Sequence, residues 1–286
     1  MDDWSLMQFE DIKRIGVVGA GQMGRGIAQV CATAGYQVLL VDVDEPLLAA
    51  AVSKIRVSLD RAIERGAQCQ TEDVLARIQP VVQIERLCDA QVVIEAIPED
   101  LARKQVLFGE LSRHCQPHAI LASNTSSISI TKLGAASSRP DRVLGVHFMN
   151  PVPVMRLVEI VQGPETSQHT LQMVLELSRR LGKVSVVSKD VPGFIVNRVL
   201  MPMINEAVFA LEDGVASAED IDLAMTTGAN HPVGPLALAD RIGLDTVLAI
   251  CEVLSQDLGD PKFRPCPMLR RYVDLGWLGR KKGRGF

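Results

Sequence analysis

The sequence predicts an α/β protein: a mostly parallel sheet covered by helices, followed by an all-helical C-terminal domain. Three observations predict it. Apolar, β-branched runs alternate with amphipathic helical intervals through the first two thirds of the chain. Those runs are apolar at consecutive positions, as in strands buried on both faces. After "KDVPGF" (189–194) almost every segment reads as helix.

The elements follow in order. "KRIGVV" (13–18) is a strand that stops at a glycine cluster, and helical spacing runs from Gln22 to Thr33. "YQVLLVDVD" (36–44) is a second strand, followed by a helix from Glu45 to Arg65. Further strands are expected at "VVQI" (81–84), "QVVIEAI" (91–97), "AILASN" (119–124) and "RVLGVHFM" (142–149), with a helix from Asp100 to His114. "RLVEIV" (156–161) and "KVSVVS" (183–188) extend the sheet, with a helix between them. Pro192 and Gly193 punctuate the change of texture, which places a boundary between residues 1–189 and 190–286. Beyond it a helix starts near Ile195 and should bend at Pro202. "SAED" (217–220) caps another helix, and "GLD" (243–245) opens a third.

At 286 residues the chain can bury a large core, and a net charge of −4 supplies no basic field for nucleic acid or an anionic membrane. The acidic N-terminus, "MDDWSLMQFEDIKR", lacks the pattern of a secretory signal, and no apolar run reaches the ~20 residues of a membrane helix. Six scattered cysteines with neither CxxC nor metal-ligand spacing read as reduced thiols, so a cytoplasmic protein without a bound metal is expected.

"GAGQMG" gives Gly19-x-Gly21-x-x-Gly24, with Gln22 and Met23 between the glycines. It follows a strand and opens a helix, and Asp42 ends the next strand eighteen residues past Gly24. That context is a Rossmann-type dinucleotide site. Gly19 permits the tight turn, Gly21 admits the pyrophosphate, Gly24 allows close packing, and the helix N-terminus offers N–H groups to phosphate. Asp42 can accept hydrogen bonds from the adenosine ribose hydroxyls and would repel a 2′-phosphate, so NAD is expected over NADP. FAD shares the fingerprint, but no second mixed domain follows to cover an isoalloxazine.

Ligands of such sheets gather beyond the carboxyl ends of the strands. "EAIPE" (95–99), "ASNTSS" (122–127) and "HFMNP" (147–151) all stand there. His147 is therefore read as the base that takes the hydroxyl proton of an alcohol oxidised by hydride transfer. Glu159 is the carboxylate that would stabilise the imidazolium, if the turn at Pro151–Pro153 brings "RLVEI" back beside His147. Ser58, Arg61 and Arg65 share a helix face that could hold an anionic nucleotide or simply face solvent.

Together "GAGQMGRGIAQ", "EAIPEDLARKQ", "ASNTSS", "HFMNPVPVMRLVE", "DVPGFIVNR" and "GRKKGRGF" resemble the 3-hydroxyacyl-CoA dehydrogenase family over nearly the whole chain. The resemblance is nearest to its single-function bacterial 3-hydroxybutyryl-CoA type. It implies NAD-dependent, reversible oxidation of a (3S)-3-hydroxyacyl-CoA to the 3-oxoacyl-CoA, as in fatty-acid β-oxidation. It also implies that Ser126 bonds the substrate oxygen and the nicotinamide end of NAD, and that Asn197 contacts substrate from the helical domain. Asn150, Glu99, Lys104 and Lys281 would be cofactor contacts, Ser58 and Arg65 would hold CoA, and a homodimer would form through the helical domain. Arg65 stands where the family more often has Lys, and Lys282 where it usually has a small hydroxyl residue. A dicarboxylic substrate such as 3-hydroxyadipyl-CoA, a free hydroxy acid of the gulonate or carnitine type, and an NAD-binding protein without selected turnover stay open as alternatives.

Overall fold

The computed structural model describes Met7 to Phe286, so the first six residues of the acidic N-terminus lie outside the described residues. The chain divides into two compact units, one running to Val191 and one from Pro192 to Phe286.

In the first unit the elements are β1 (Arg14–Val18), α1 (Gln22–Thr33), β2 (Gln37–Val41), α2 (Glu45–Glu64), α3 (Thr71–Leu75), β3 (Ile78–Val81), β4 (Val92–Glu95), α4 (Leu101–His114), β5 (Ile120–Ser123), α5 (Ile130–Ala136), β6 (Val143–Phe148), β7 (Leu157–Gln162), α6 (Gln168–Arg180) and β8 (Val184–Lys189). The eight strands form one sheet in the order β3-β2-β1-β4-β5-β6-β7-β8. Every neighbouring pair is parallel except β6 with β7, which is antiparallel. Strand order reverses between β1 and β4, the crevice where doubly wound sheets bind dinucleotides. All residues of β4, β5 and β6 are buried, whereas the outer strands β3 and β8 are partly exposed. This burial explains the unbroken apolar runs of the central strands.

Local sequence accounts for the helices. The buried face of α1 is Gly24, Ile27, Ala28 and Cys31, the spacing of one helical stripe. On α2 the buried positions are Leu48, Ala51, Ile55 and Leu59. Asp100 caps α4 by accepting from the Arg103 N–H, and Ser167 caps α6 by accepting from the Thr170 N–H. The α5 helix is capped twice, by Ser129 and by Asp190, whose carboxylate also accepts from the Ile130 and Thr131 N–H groups. One expected strand is displaced: β3 occupies 78–81 rather than 81–84, and Ile84 begins a 3-10 helix instead. Pro80 stands inside β3, and β3 tolerates it because this is an edge strand with a single neighbour.

The second unit is helical: α7 (Val196–Glu212), α8 (Ala218–Gly228), α9 (Pro235–Ile242), α10 (Leu244–Leu258) and α11 (Pro267–Asp274). Met201, Ile204 and Val208 of α7 pack in its core with Leu236, Ala239, Val247, Cys251 and Leu269. The helix α7 continues through Pro202 as one segment, and Ser217 caps α8 by accepting from the Asp220 N–H. None of the six cysteines forms a disulfide. Among the described residues no helix is long and apolar enough to cross a membrane, and no His, Cys, Asp and Glu cluster could hold a metal ion.

Candidate active site

The glycine loop lies between β1 and α1, and its geometry separates the three glycines by role. Gly19 adopts φ +104°, and a Cβ there would sit 2.6 Å from the Ala96 carbonyl oxygen. A Cβ on Gly24 would stand 1.7 Å from the Gly19 carbonyl oxygen, so no side chain fits. Around Gly21 nothing lies within 4 Å of a built Cβ. The protein's own packing does not require Gly21, and the open space in front of it suits a pyrophosphate. The first-turn N–H groups of Gln22, Met23 and Gly24 lie at the start of α1, where a helix has no carbonyls to satisfy them.

Asp42 follows β2. Its Oδ2 accepts from the Ala20 N–H at 2.7 Å and its Oδ1 from the Val43 N–H at 2.8 Å. Two backbone donors thus lock the carboxylate beside the glycine loop, with acceptor capacity left on each oxygen. Cradle, helix start and fixed carboxylate together fit an NAD dinucleotide.

Across the switch point, β6 and β7 pair so that His147 stands opposite Glu159. Directly opposed residues of an antiparallel pair project to the same face. Glu159 is fully buried and its Oε2 lies 2.7 Å from His147 Nδ1. A carboxylate only accepts, so Nδ1 carries a proton, and in the neutral tautomer that this sets the lone pair lies on Nε2. That Nε2 lies 3.1 Å from Ser126 Oγ, on the loop after β5. Ser126, His147 and Glu159 therefore form one hydrogen-bonded line, with the basic nitrogen on the serine side.

The turn joining the two strands is held from three sides. Lys183 Nζ donates to the Val152 and Met155 carbonyls. Gln22 Nε2 donates to Asn150 Oδ1 at 2.8 Å, which ties the glycine loop to the turn. Gly26 of α1 lies so close that an added Cβ would meet Val152 Cβ at 2.9 Å. On the opposite flank, Asn124 accepts from the Phe148 N–H at 2.9 Å and so fixes the residue after His147.

Glu99 anchors the serine loop. Its Oε1 accepts from Thr125 Oγ1 at 2.5 Å, the Ser126 N–H at 2.9 Å and the Ser127 N–H at 3.2 Å, and its Oε2 lies 3.3 Å from Lys104 Nζ. Burial pushes this carboxyl upward, but the Lys104 charge and the donors from Thr125, Ser126 and Lys104 outweigh it and hold Glu99 below the usual carboxylate range. Lys104 is wholly enclosed, with its Nζ 2.6 Å from Glu95 Oε1. In this arrangement it braces Glu95 and Glu99 and presents no surface of its own.

The remaining expected residues stand elsewhere. Ser58 is half-buried on α2, Arg61 is exposed on that helix, and Arg65 is exposed at its C-cap. Asn197 is buried in the first turn of α7, and Lys281 pairs with Asp245 at the start of α10. Glu95, Asn124, Thr125, Gly26 and Lys183 were not singled out from sequence. The one available signal was Glu95, a carboxylate interrupting the apolar run "QVVIEAI".

Known proteins match nearly the whole chain. Residues 14–191 match the family described as "3-hydroxyacyl-CoA dehydrogenase, NAD binding domain", and residues 193–286 match "3-hydroxyacyl-CoA dehydrogenase, C-terminal domain". A probable 3-hydroxybutyryl-CoA dehydrogenase of Bacillus subtilis is 52% identical over 278 residues, covering 96% of this chain and 97% of that protein. A 3-hydroxybutyryl-CoA dehydrogenase of Bradyrhizobium diazoefficiens is 50% identical, covering 96% and 94%. The crystal structure of (S)-3-hydroxybutyryl-CoA dehydrogenase from Ralstonia eutropha is 48% identical and superposes with a TM-score of 0.93, over 96% of this chain and 98% of that one. Mostly parallel sheet, helical C-terminal unit, dinucleotide cradle and these matches agree: the chain belongs to the 3-hydroxyacyl-CoA dehydrogenase family and is an NAD-dependent oxidoreductase of that type.

Proposed function

We propose that the protein interconverts short-chain (3S)-3-hydroxyacyl-CoA and 3-oxoacyl-CoA esters, 3-hydroxybutyryl-CoA foremost, with His147 as the proton-transferring residue. One observation carries this reading: Nε2 of a buried imidazole, held by a fully buried carboxylate, faces a serine hydroxyl at the strand ends beside the dinucleotide cradle. The names of the relatives support a CoA ester over a free hydroxy acid.

Bound NAD supplies the acceptor for the hydride that leaves carbon 3 of the substrate. The chain's residues handle the proton. His147 Nε2 takes it from the substrate hydroxyl as the C–H bond breaks, and in reduction returns it to the new alkoxide. Glu159 stabilises the imidazolium formed in between and keeps the ring in one tautomer. Ser126 Oγ donates to the substrate oxygen, where charge develops as the proton leaves. Gly19, Gly21, Gln22, Met23, Gly24 and Asp42 hold the cofactor, with Asn150 beside its nicotinamide end and Glu99 a further cofactor-side contact. Asn197, Lys281, Ser58 and Arg65 keep the substrate and cofactor roles that the family resemblance gives them. We further propose a cytoplasmic homodimer.

The test is NADH oxidation with acetoacetyl-CoA by the wild type and by His147→Gln, with free acetoacetate, longer acyl chains and an ω-carboxylate ester alongside. Turnover of acetoacetyl-CoA and its loss by at least 100-fold in the variant are expected. Equal rates in the two proteins would overturn the role of His147. Faster turnover of the free acid or the ω-carboxylate ester would overturn the substrate.

A further inference from the structure

We propose that Glu95 is a positioning residue for this reaction, acting through Lys104 and Glu99 on the serine loop that faces His147. The proposal rests on the reading of His147 and Ser126 given above and extends it to a group outside the substrate's reach.

Glu95 is the last residue of β4 and is fully buried. Three segments converge on its carboxylate. Oε1 accepts from the Ile97 N–H at 2.7 Å and from Lys104 Nζ at 2.6 Å, and Oε2 accepts from Ser123 Oγ at 2.5 Å. Lys104, also fully buried, passes the contact to Glu99 Oε2 at 3.3 Å. Glu99 in turn grips Thr125 Oγ1 and the Ser126 N–H, and Ser126 Oγ meets His147 Nε2 at 3.1 Å. An unbroken chain of hydrogen bonds and ion pairs thus leads from Glu95 to the proposed base and on to Glu159.

A buried ion pair is poor evidence for stability, because apolar residues of similar size fill such a place at least as well. What the pair does supply is direction. Lys104 stands between two carboxylates, one inside the protein and one on the serine loop. Glu95 shares the ammonium and leaves Glu99 enough acceptor capacity to hold the loop. Without the Glu95 charge, Lys104 would bear on Glu99 alone and draw it away from the Ser126 N–H. Ser126 Oγ would then leave the line it forms with Nε2. Sub-ångström displacement of a group in hydride and proton transfer slows chemistry more than binding.

Glu95→Gln tests this directly. Its Oε1 still accepts from Ile97 and Lys104, and its amide can donate to Ser123 Oγ, so shape is kept while the charge is lost and the Ser123 bond reverses direction. Rates are normalised to NADH-binding sites counted by fluorescence titration. The expected result is a fall in kcat of about 10-fold or more, with KM for acyl-CoA within twofold. The deuterium isotope effect on kcat with 3-deuterated 3-hydroxybutyryl-CoA should rise, as hydride transfer becomes limiting. Should Glu95→Gln fail to fold, Glu95→Asp keeps Lys104 and the charge but draws the carboxylate back by one methylene from Lys104 and Ser123, and is expected to show a smaller fall in kcat with the same rise in the isotope effect. A folded variant with wild-type kcat and isotope effect would overturn the proposal. That outcome beside an inactive His147→Gln sinks only the role of Glu95, whereas an active His147→Gln sinks the function reading itself.

Discussion

Replacing Glu159 by Gln isolates the charge behind the imidazole. The side chain is fully buried and its Oε2 lies 2.7 Å from His147 Nδ1, so water cannot substitute for the lost charge. With charge centres about 4 Å apart, a carboxylate and an imidazolium attract by about 4 kcal/mol at an effective dielectric of ~20. The amide oxygen of Gln can still accept from Nδ1–H, which returns about 1 kcal/mol. The remaining loss of about 3 kcal/mol falls on the state in which His147 carries the substrate's proton, and corresponds to roughly 100-fold in kcat. Glu159 lies on the far side of the ring from Nε2, so KM for the acyl-CoA should move less than threefold. Steady-state NADH formation from 3-hydroxybutyryl-CoA measures both constants, and a circular-dichroism melt confirms that the variant is folded. A folded Glu159→Gln enzyme within threefold of wild-type kcat would refute the argument that this carboxylate stabilises the proton-loaded ring.

Asp42→Asn keeps the two backbone donors of Ala20 and Val43 partly satisfied but removes the charge beside the ribose. The ratio of kcat/KM for NAD over NADP should fall by about 10-fold, on the scale of a charge-assisted hydrogen bond exchanged for a neutral one; an unchanged ratio would show that Asp42 does not set the preference. Glu99 gives a pH dependence of defined sign. Its carboxyl is held below its unfolded value, so its contribution to stability is full above about pH 4.5, the ordinary carboxylate value, and is lost as pH falls through the depressed folded value. Acid unfolding followed by circular dichroism should therefore be shallower in Glu99→Gln across that window, and identical acid profiles would count against the anchor.

Much of this architecture was legible because periodicity and turn chemistry are local. The helix from Gln22 to Thr33 could be read to the residue, since glycines bound its start and its apolar stripe repeats at helical spacing. The strand near residue 80 was misplaced because Pro80 argues against a strand unless the strand is known to be an edge, and edges are assigned by neighbours. Lys104 shows the same limit. As a sequence letter it is a surface cation on an amphipathic helix, and only the packed structure encloses it between Glu95 and Glu99.

Sequence by itself determined the class of fold, the glycine cradle and the carboxylate of Asp42, because steric demands on glycine and strand-to-helix order are short-range properties. Tertiary structure alone decided that β7 returns antiparallel in the register that sets Glu159 opposite His147, and that the serine loop reaches Nε2. A shift of one residue in that register would turn Glu159 to the other face of the sheet, and no local preference of either strand forbids it. The turn at 150–155, clamped by Lys183, Gln22 and the close approach of Gly26, removes that freedom through contacts far apart in the chain.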